Sequence, residues 1–303
     1  MATTKKVVSP QANRRKNARR NPAVKQFNNN TYHSTHREEE REYSAEYARN
    51  KKKNYGTYAE ELNERRNPVF AEVESIFFTC DYHIPFVHQV LFQRLLDACD
   101  DTGVKTLAIG GDFWDCDNYS KFLHITPMTC FGDEIDEVKK VMKMLLRHFD
   151  KIYVCRGNHE KRWLDMNAGR MEMKDLFKLA MPSNISEDDY TARVHVTGDD
   201  YMEFMCSGEK WRISHPRNFS CTPLSVVTKL ARRHHCNHVG AHGHQMAQGW
   251  SEDGVNRVVD GGGLFDPDAL EYLRDTSTYA RVQNGFYALI DGKLEVYPGV
   301  EKR

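Results

Sequence analysis

Five short blocks along this 303-residue chain gather the side chains that hold divalent cations. In order they are Asp81-Tyr82-His83, Gly111-Asp112-Phe113-Trp114-Asp115, Gly157-Asn158-His159-Glu160, Ser214-His215-Pro216 and His242-Gly243-His244. Their donors are carboxylate, amide oxygen and imidazole, with no thiolate among them. That mixture suits Mn, Fe, Zn or Mg rather than a closed structural zinc site. Seven or eight ligands are too many for one ion and about right for two, with one carboxylate bridging. A lone Asp-x-His is more often a turn than a ligand pair. Five such blocks, each directly behind an apolar run, are a different matter.

The runs in front of the blocks predict the framework that positions them. Residues 74–80, 105–110 and 151–155 are short apolar stretches of strand length, and residues 86–98, 134–149 and 161–181 show helical spacing. This alternation predicts right-handed crossovers and a largely parallel sheet. Each block then falls at the C-terminal end of a strand, where ligands gather in open α/β sheets. The second half is richer in strands: 192–196, 201–206, 211–214, 237–241, 255–259, 285–290 and 293–297, with one helix over 224–234. Met166, Met171, Met173 and Met181 are expected to fill core gaps. The run Arg232-Arg233-His234-His235-Cys236-Asn237-His238 suggests a separate zinc site, but surface and core roles fit it better.

The five blocks resemble the calcineurin-like metallophosphoesterase family, whose pattern is D-x-H, G-D-x-x-D, G-N-H-D/E, a lone H and G-H-x-H. The resemblance covers residues 74–298. It departs from the pattern at Ala241, where the last block usually begins with Gly, and at Pro216, where Gly commonly follows the lone His. Both are backbone-shaping positions, so loop geometry is in question there and metal binding is not. The resemblance implies a four-layer αββα sandwich and hydrolysis of phosphate esters by metal-activated hydroxide. It implies two divalent ions, Mn first, with Fe, Zn, Mg or Ni as alternatives. One would be held by Asp81, His83 and His244, the other by Asn158, His215 and His242, with Asp112 bridging them. His159 would face the substrate as a proton donor or a stabiliser of charge, oriented by Asp115. Arg162 and Trp163, just after the third block, are expected at the mouth of the site. There Arg162 would meet a phosphate and Trp163 a base; the alternatives are a surface ion pair and a core ring.

The charge pattern bears on the substrate. Lys and Arg balance Asp and Glu at 43 each, but unevenly. Residues 1–70 hold 16 basic and 8 acidic residues, a net of +8, which leaves −8 for residues 71–303. Residues 1–36 contain eight basic residues, no acid and little apolar periodicity, and read as a disordered basic arm. Residues 37–70 read as a helical extension, and 71–303 as the catalytic domain. A basic arm favours a polyanion. The second block lacks the Arg-Gly that the protein-phosphatase branch carries after its second Asp. Both features lean the expectation towards phosphodiester bonds of DNA or RNA. A phosphomonoesterase or protein phosphatase is the alternative, and a catalytically silent nucleic-acid-binding or scaffold protein is the third. The eight scattered cysteines form no C-x-x-C pair and read as reduced thiols. With no apolar run of membrane-spanning length and no leading h-region, the expected setting is cytoplasmic.

Overall fold

The computed structural model describes residues 69–120, 130–168, 170–270 and 282–299. The expected basic arm, and all but the end of the helical extension, lie outside the described residues. The rest belongs to one unit, Arg66–Arg303.

The apolar runs become strands buried on both faces. In β2 (Ile76–Thr79) the side chains alternate: Phe77 enters one core, while Ile76 and Phe78 enter another. The neighbouring β3 (Thr106–Ile109) and β4 (Lys151–Val154) repeat this, with Leu107, Ile109, Ile152 and Val154 on one side and Ala108 and Tyr153 on the other. A period of two on a sheet covered on both faces produces this division. The first core lies under the helices α1 (Gln89–Thr102), α2 (Phe131–His148), α3 (Asn158–Met166) and α4 (Met173–Leu179). A short α5 (Glu187–Arg193) follows and leads into β5 (Val194–Val196).

The second core lies between two sheets. Behind β2, β3 and β4 stand β6 (Tyr201–Cys206), β7 (Glu209–Ser214), β8 (Asn237–Gly240) and β10 (Arg257–Gly261). Across that gap Phe78 stacks on Trp211 with ring centroids 5.7 Å apart. A third, small core of Val227, Ala231 and Val258 seats α6 (Ser225–His234) on the far face. The order of layers is helix, sheet, sheet, helix, as expected.

One sheet runs β12-β11-β2-β3-β4-β5, where β11 is Gly285–Ile290 and β12 is Lys293–Pro298. The other runs β1-β6-β7-β8-β10-β9, where β1 is Phe70–Val73 and β9 is Met246–Trp250. Strands β2, β3, β4 and β5 pair in parallel, as do β7, β8 and β10, so their C-terminal ends lie side by side.

Several expectations need correction. Residues 161–181 form two helices, α3 and α4, not one. Met166 and Met171 lie exposed where the chain passes between them, and only Met173 fills the core as expected, Met181 being partly buried. β1, β9 and α5 have no counterpart in the sequence reading. β1 and β9 are the edge strands of their sheet and carry no fully buried residue, so no apolar run marks them. Among the described residues, no helix is long and apolar enough to cross a membrane.

Candidate metal centre

The parallel pairing brings all five blocks to one end of the sandwich. Asp81 and His83 follow β2, Asp112 and Asp115 follow β3, and Asn158 and His159 follow β4. His215 follows β7, and His242 and His244 follow β8, so the second sheet supplies the remaining donors. The loops are stitched together by backbone bonds, with the N–H groups of Tyr82 and His83 donating to the Asp112 carbonyl at 2.9 and 3.0 Å. Gly157 permits the closest approach. A Cβ there would lie 2.0 Å from Asp112 Oδ1, so only glycine fits.

The candidate ligands form two groups. Donor atoms of Asp81, His83 and His244 lie within 4.8 Å of one another, and so do those of Asp112, His215 and His242. Asn158 joins the second group, its Oδ1 2.8 Å from His215 Nε2. Asp112 Oδ2 lies between the groups, 3.3 Å from His215 Nε2 and 4.0 Å from His83 Nε2. Asp81, His83 and Asp112 are fully buried or nearly so.

Outer partners set the tautomers. His215 Nδ1 donates to the Gly110 carbonyl at 2.9 Å, and His83 Nδ1 donates to Asp115 Oδ1 at 3.0 Å. Each ring therefore turns Nε2 into the cluster, as metal-binding histidines do. His83 Nε2 then faces His244 Nε2 at 3.4 Å, and His215 Nε2 faces the Asn158 amide oxygen. With Nδ1 of His215 donating to Gly110, its Nε2 and the Asn158 amide oxygen can meet only across a proton or a cation. On donor chemistry, therefore, the residues fit divalent metal binding.

The backbone and the field agree with this. Asp81, His83, Asp112, His242 and His244 all adopt left-handed φ, between 47° and 71°. For residues other than glycine this costs about 1 kcal/mol or more each and clusters at functional sites. Burial opposes ionisation of Asp81 and Asp112, but His244 beside the first and His215 and His159 beside the second hold both carboxyls below the ordinary range. Burial also opposes charge on His215, where the Asp112 and Asp81 carboxylates outweigh it and raise the ring to about 10. At His242 burial prevails, reinforced by His215, and lowers it to about 4.

Asp115 does more than the expected orienting of His159. Its Oδ1 lies 3.2 Å from His159 Nδ1 and slightly closer to His83, while its backbone carbonyl accepts from His159 Nδ1 at 2.5 Å. His159 Nε2 is left facing the cluster, 3.8 Å from Asp112 Oδ2. Arg162 spans this ring, its Nη1 and Nη2 3.2 and 3.1 Å from Nδ1 and Nε2, and also pairs with Asp117 at 3.4 Å. Trp163 does not meet the mouth of the site. It is only 6% exposed and belongs to the core under α3, so the expectation of a base stacked on it is overturned. One helical step of about 100° separates it from Arg162 and turns it inward.

Two residues of this end had no role in the sequence reading. Glu160 is fully buried, and its carboxylate accepts from four backbone N–H groups: Asp112, Phe113, Trp114 and Gly157. Its position three residues into α3 from Gly157, a capping-box position, was the available signal. Phe265 is buried and packs edge-on against His83 and His244, with centroids 5.1 and 4.7 Å away. The departures at Ala241 and Pro216 leave the site intact. Ala241 does not take a left-handed φ, so no glycine is needed there. The His234–His238 run forms no metal group among the described residues; His238 is fully buried with Nε2 2.7 Å from Ser214 Oγ.

A four-layer α/β sandwich with Asp, Asn and His converging from both sheets defines the class, and in motif order and architecture the chain resembles the calcineurin-like metallophosphoesterases. No protein-family model matches the chain, and no curated protein matches it. Among solved structures it is similar to YfcE, a phosphoesterase from E. coli, at 13% identity and a TM-score of 0.38, over 73% of this chain and 91% of that one. It is also similar to Vps29 from Cryptosporidium parvum, at 16% identity and 0.39, over 75% and 96%. A third is wild-type Vps29 complexed with zinc from Entamoeba histolytica, at 12% and 0.36, over 74% and 98%.

Proposed function

We propose that this chain is a binuclear metal-dependent phosphoesterase. The observation that carries the reading is the inward convergence of imidazole, carboxylate and amide donors from five separate loops, with Nδ1 of His215 and of His83 held by Gly110 and Asp115. Asp81, His83 and His244 would hold one ion and Asn158, His215 and His242 the other, with Asp112 available to both. Two divalent ions, Mn first among Mn, Fe, Zn, Mg and Ni, supply charge to neutralise a bound phosphate and lower the pKa of a nucleophilic water. His159, with Nδ1 committed to the Asp115 carbonyl, presents Nε2 to the leaving oxygen and delivers its proton there. Asp115 positions both His159 and His83. Arg162, next to His159, meets the phosphate charge.

The substrate leaning is towards phosphodiester bonds of DNA or RNA. Its support is the +8 charge of residues 1–70 and the absence of Arg-Gly after Asp115. A phosphomonoesterase or protein phosphatase is the second reading. A catalytically silent scaffold is disfavoured, because every candidate ligand type is present. The test is hydrolysis of bis-p-nitrophenyl phosphate and p-nitrophenyl phosphate by the full chain with Mn²⁺. His159→Ala is expected to lower kcat by about 100-fold or more, as loss of a general acid does. Asp112→Ala should abolish turnover. No activity with Mn²⁺, Fe²⁺, Zn²⁺, Mg²⁺ or Ni²⁺ would overturn the reading.

A further inference from the structure

Glu134 is the one polar member of the stripe that α2 buries, a turn before Val138 and in line with Val141 and Leu145, and it is only 1% exposed. An apolar side chain would fill that position at less cost than a carboxyl, whose oxygens must find partners. Its Oε1 accepts from the Cys116 N–H at 2.8 Å. That N–H belongs to the peptide unit joining Asp115 to Cys116. The other side of the same unit, the Asp115 carbonyl, accepts from His159 Nδ1 at 2.5 Å. One peptide plane is thus held between a buried carboxyl and the imidazole of His159. The turn around it is fixed as well. The Asp115 N–H donates to the Ile84 carbonyl at 3.2 Å, and Cys116 takes a left-handed φ of 47°. Phe131, in the first turn of α2, packs on Trp114 and Tyr119 to either side, with ring centroids 5.9 and 5.1 Å away.

We propose that Glu134 is a positioning residue for His159. By holding the N–H of the Asp115–Cys116 peptide it aims that peptide's carbonyl at His159 Nδ1, and so keeps Nε2 directed at the leaving oxygen. The kinetic consequence rests on the phosphoesterase reading of the same site; the orientation of the ring does not. Two hydrogen bonds that share a peptide unit strengthen each other. Without the Glu134 oxygen the buried Cys116 N–H has no acceptor, and the plane gains by turning towards another one. That turn takes the carbonyl away from His159 and releases the ring.

The test follows the Nδ1–H proton of His159 by NMR in the Zn²⁺-loaded full chain with ¹⁵N-labelled histidine, assigned by its loss in His159→Ala. Wild type and Glu134→Gln, which keeps an accepting oxygen, are expected to show it protected from solvent exchange. Glu134→Met, similar in size but without an acceptor, should lose that protection. On bis-p-nitrophenyl phosphate with Mn²⁺, Glu134→Met should lower kcat by about ten- to 100-fold with KM unchanged, and Glu134→Gln should restore most of it. In a His159→Ala background Glu134→Met should lower kcat no further, because the residue it positions is gone. Should Glu134→Met not fold, Glu134→Asp, which draws the oxygen back by one methylene, takes its place with the same expectations. Protection that survives the loss of the acceptor, or an equal fall in kcat with and without His159, overturns the proposal. A protected proton that depends on Glu134 in a wild type without turnover counts against hydrolysis and leaves the positioning role standing.

Discussion

Replacing Glu160 by Gln isolates the role of a single buried carboxylate. Oε1 accepts from the N–H groups of Phe113 and Trp114, and Oε2 from those of Asp112 and Gly157. Gln keeps one oxygen, so in either amide orientation two N–H groups lose their acceptor and confront an NH₂. A buried donor left unsatisfied costs about 1–3 kcal/mol, so the pair costs roughly 2–6 kcal/mol. At about 2–4 °C per kcal/mol for a domain of this size, melting should fall by roughly 5–20 °C. Glu160→Ala strands all four, a loss comparable to the ~5–15 kcal/mol that holds an ordinary domain together, and should not yield folded protein. Thermal and urea unfolding at pH 8, with and without Mn²⁺, measure the effect. Mn²⁺ affinity should drop with it, because the first of the four N–H groups belongs to Asp112. A Gln variant melting within about 2 °C of wild type would refute the claim that this carboxylate ties the two loops together.

Asp115→Asn should weaken Mn²⁺ binding by about 10–100-fold, since the carboxylate that turns His83 inward is lost; unchanged affinity by calorimetry would contradict that role. Glu134, at the start of α2, is pushed up to about 8 by burial, with Asp115 adding to the push and the Cys116 N–H opposing it. Its folded pKa lies above an unfolded value of about 4.3, so between those pH values the folded chain holds a proton that the unfolded chain has lost. Its contribution to stability is therefore present below about pH 4.3 and is lost as pH rises through 8. Glu134→Gln, permanently neutral, should gain about 1–3 kcal/mol at pH 8 and nothing near pH 4.5, read by urea unfolding at both; a gain independent of pH would reject this account. Deleting residues 1–36 should weaken DNA or RNA binding and flatten its salt dependence while sparing turnover of p-nitrophenyl substrates; undiminished affinity would remove the arm from recognition.

The candidate site was more legible in the sequence than its surroundings. Asp81, Asp112, Asn158 and His215 sit directly behind apolar runs, and the strands found at Tyr201–Cys206 and Gly285–Ile290 match the expected limits. Parallel pairing then converts sequence order into spatial convergence. The readings that failed share a physical cause, in that each concerns which way a side chain faces. Adjacency in sequence grouped Arg162 with Trp163, yet α3 turns the first towards His159 and the second into the core. Helical spacing ran through Met166 and Met171, where the chain actually breaks between α3 and α4. β1 and β9 escaped notice because edge strands need not be apolar. Glu160 closes the third block and had no role of its own in the sequence reading. Its work for the backbone emerges only when Asp112 and Gly157 are brought into contact.

Each half of the metal centre draws on both sheets: Asp81 and His83 with His244, and Asp112 with His215 and His242. Partners such as Asp81 and His244 stand more than 160 positions apart, so no ion can be fully coordinated until both sheets have formed and met. On the proposed function, metal capture would be a checkpoint that only the finished sandwich passes, and bound metal would act as a clasp across its open end. Chelation should then loosen the register between the sheets before it disturbs either sheet alone. Amide hydrogen exchange would show this as early deprotection at the facing ends of β2 and β8, ahead of the strand centres.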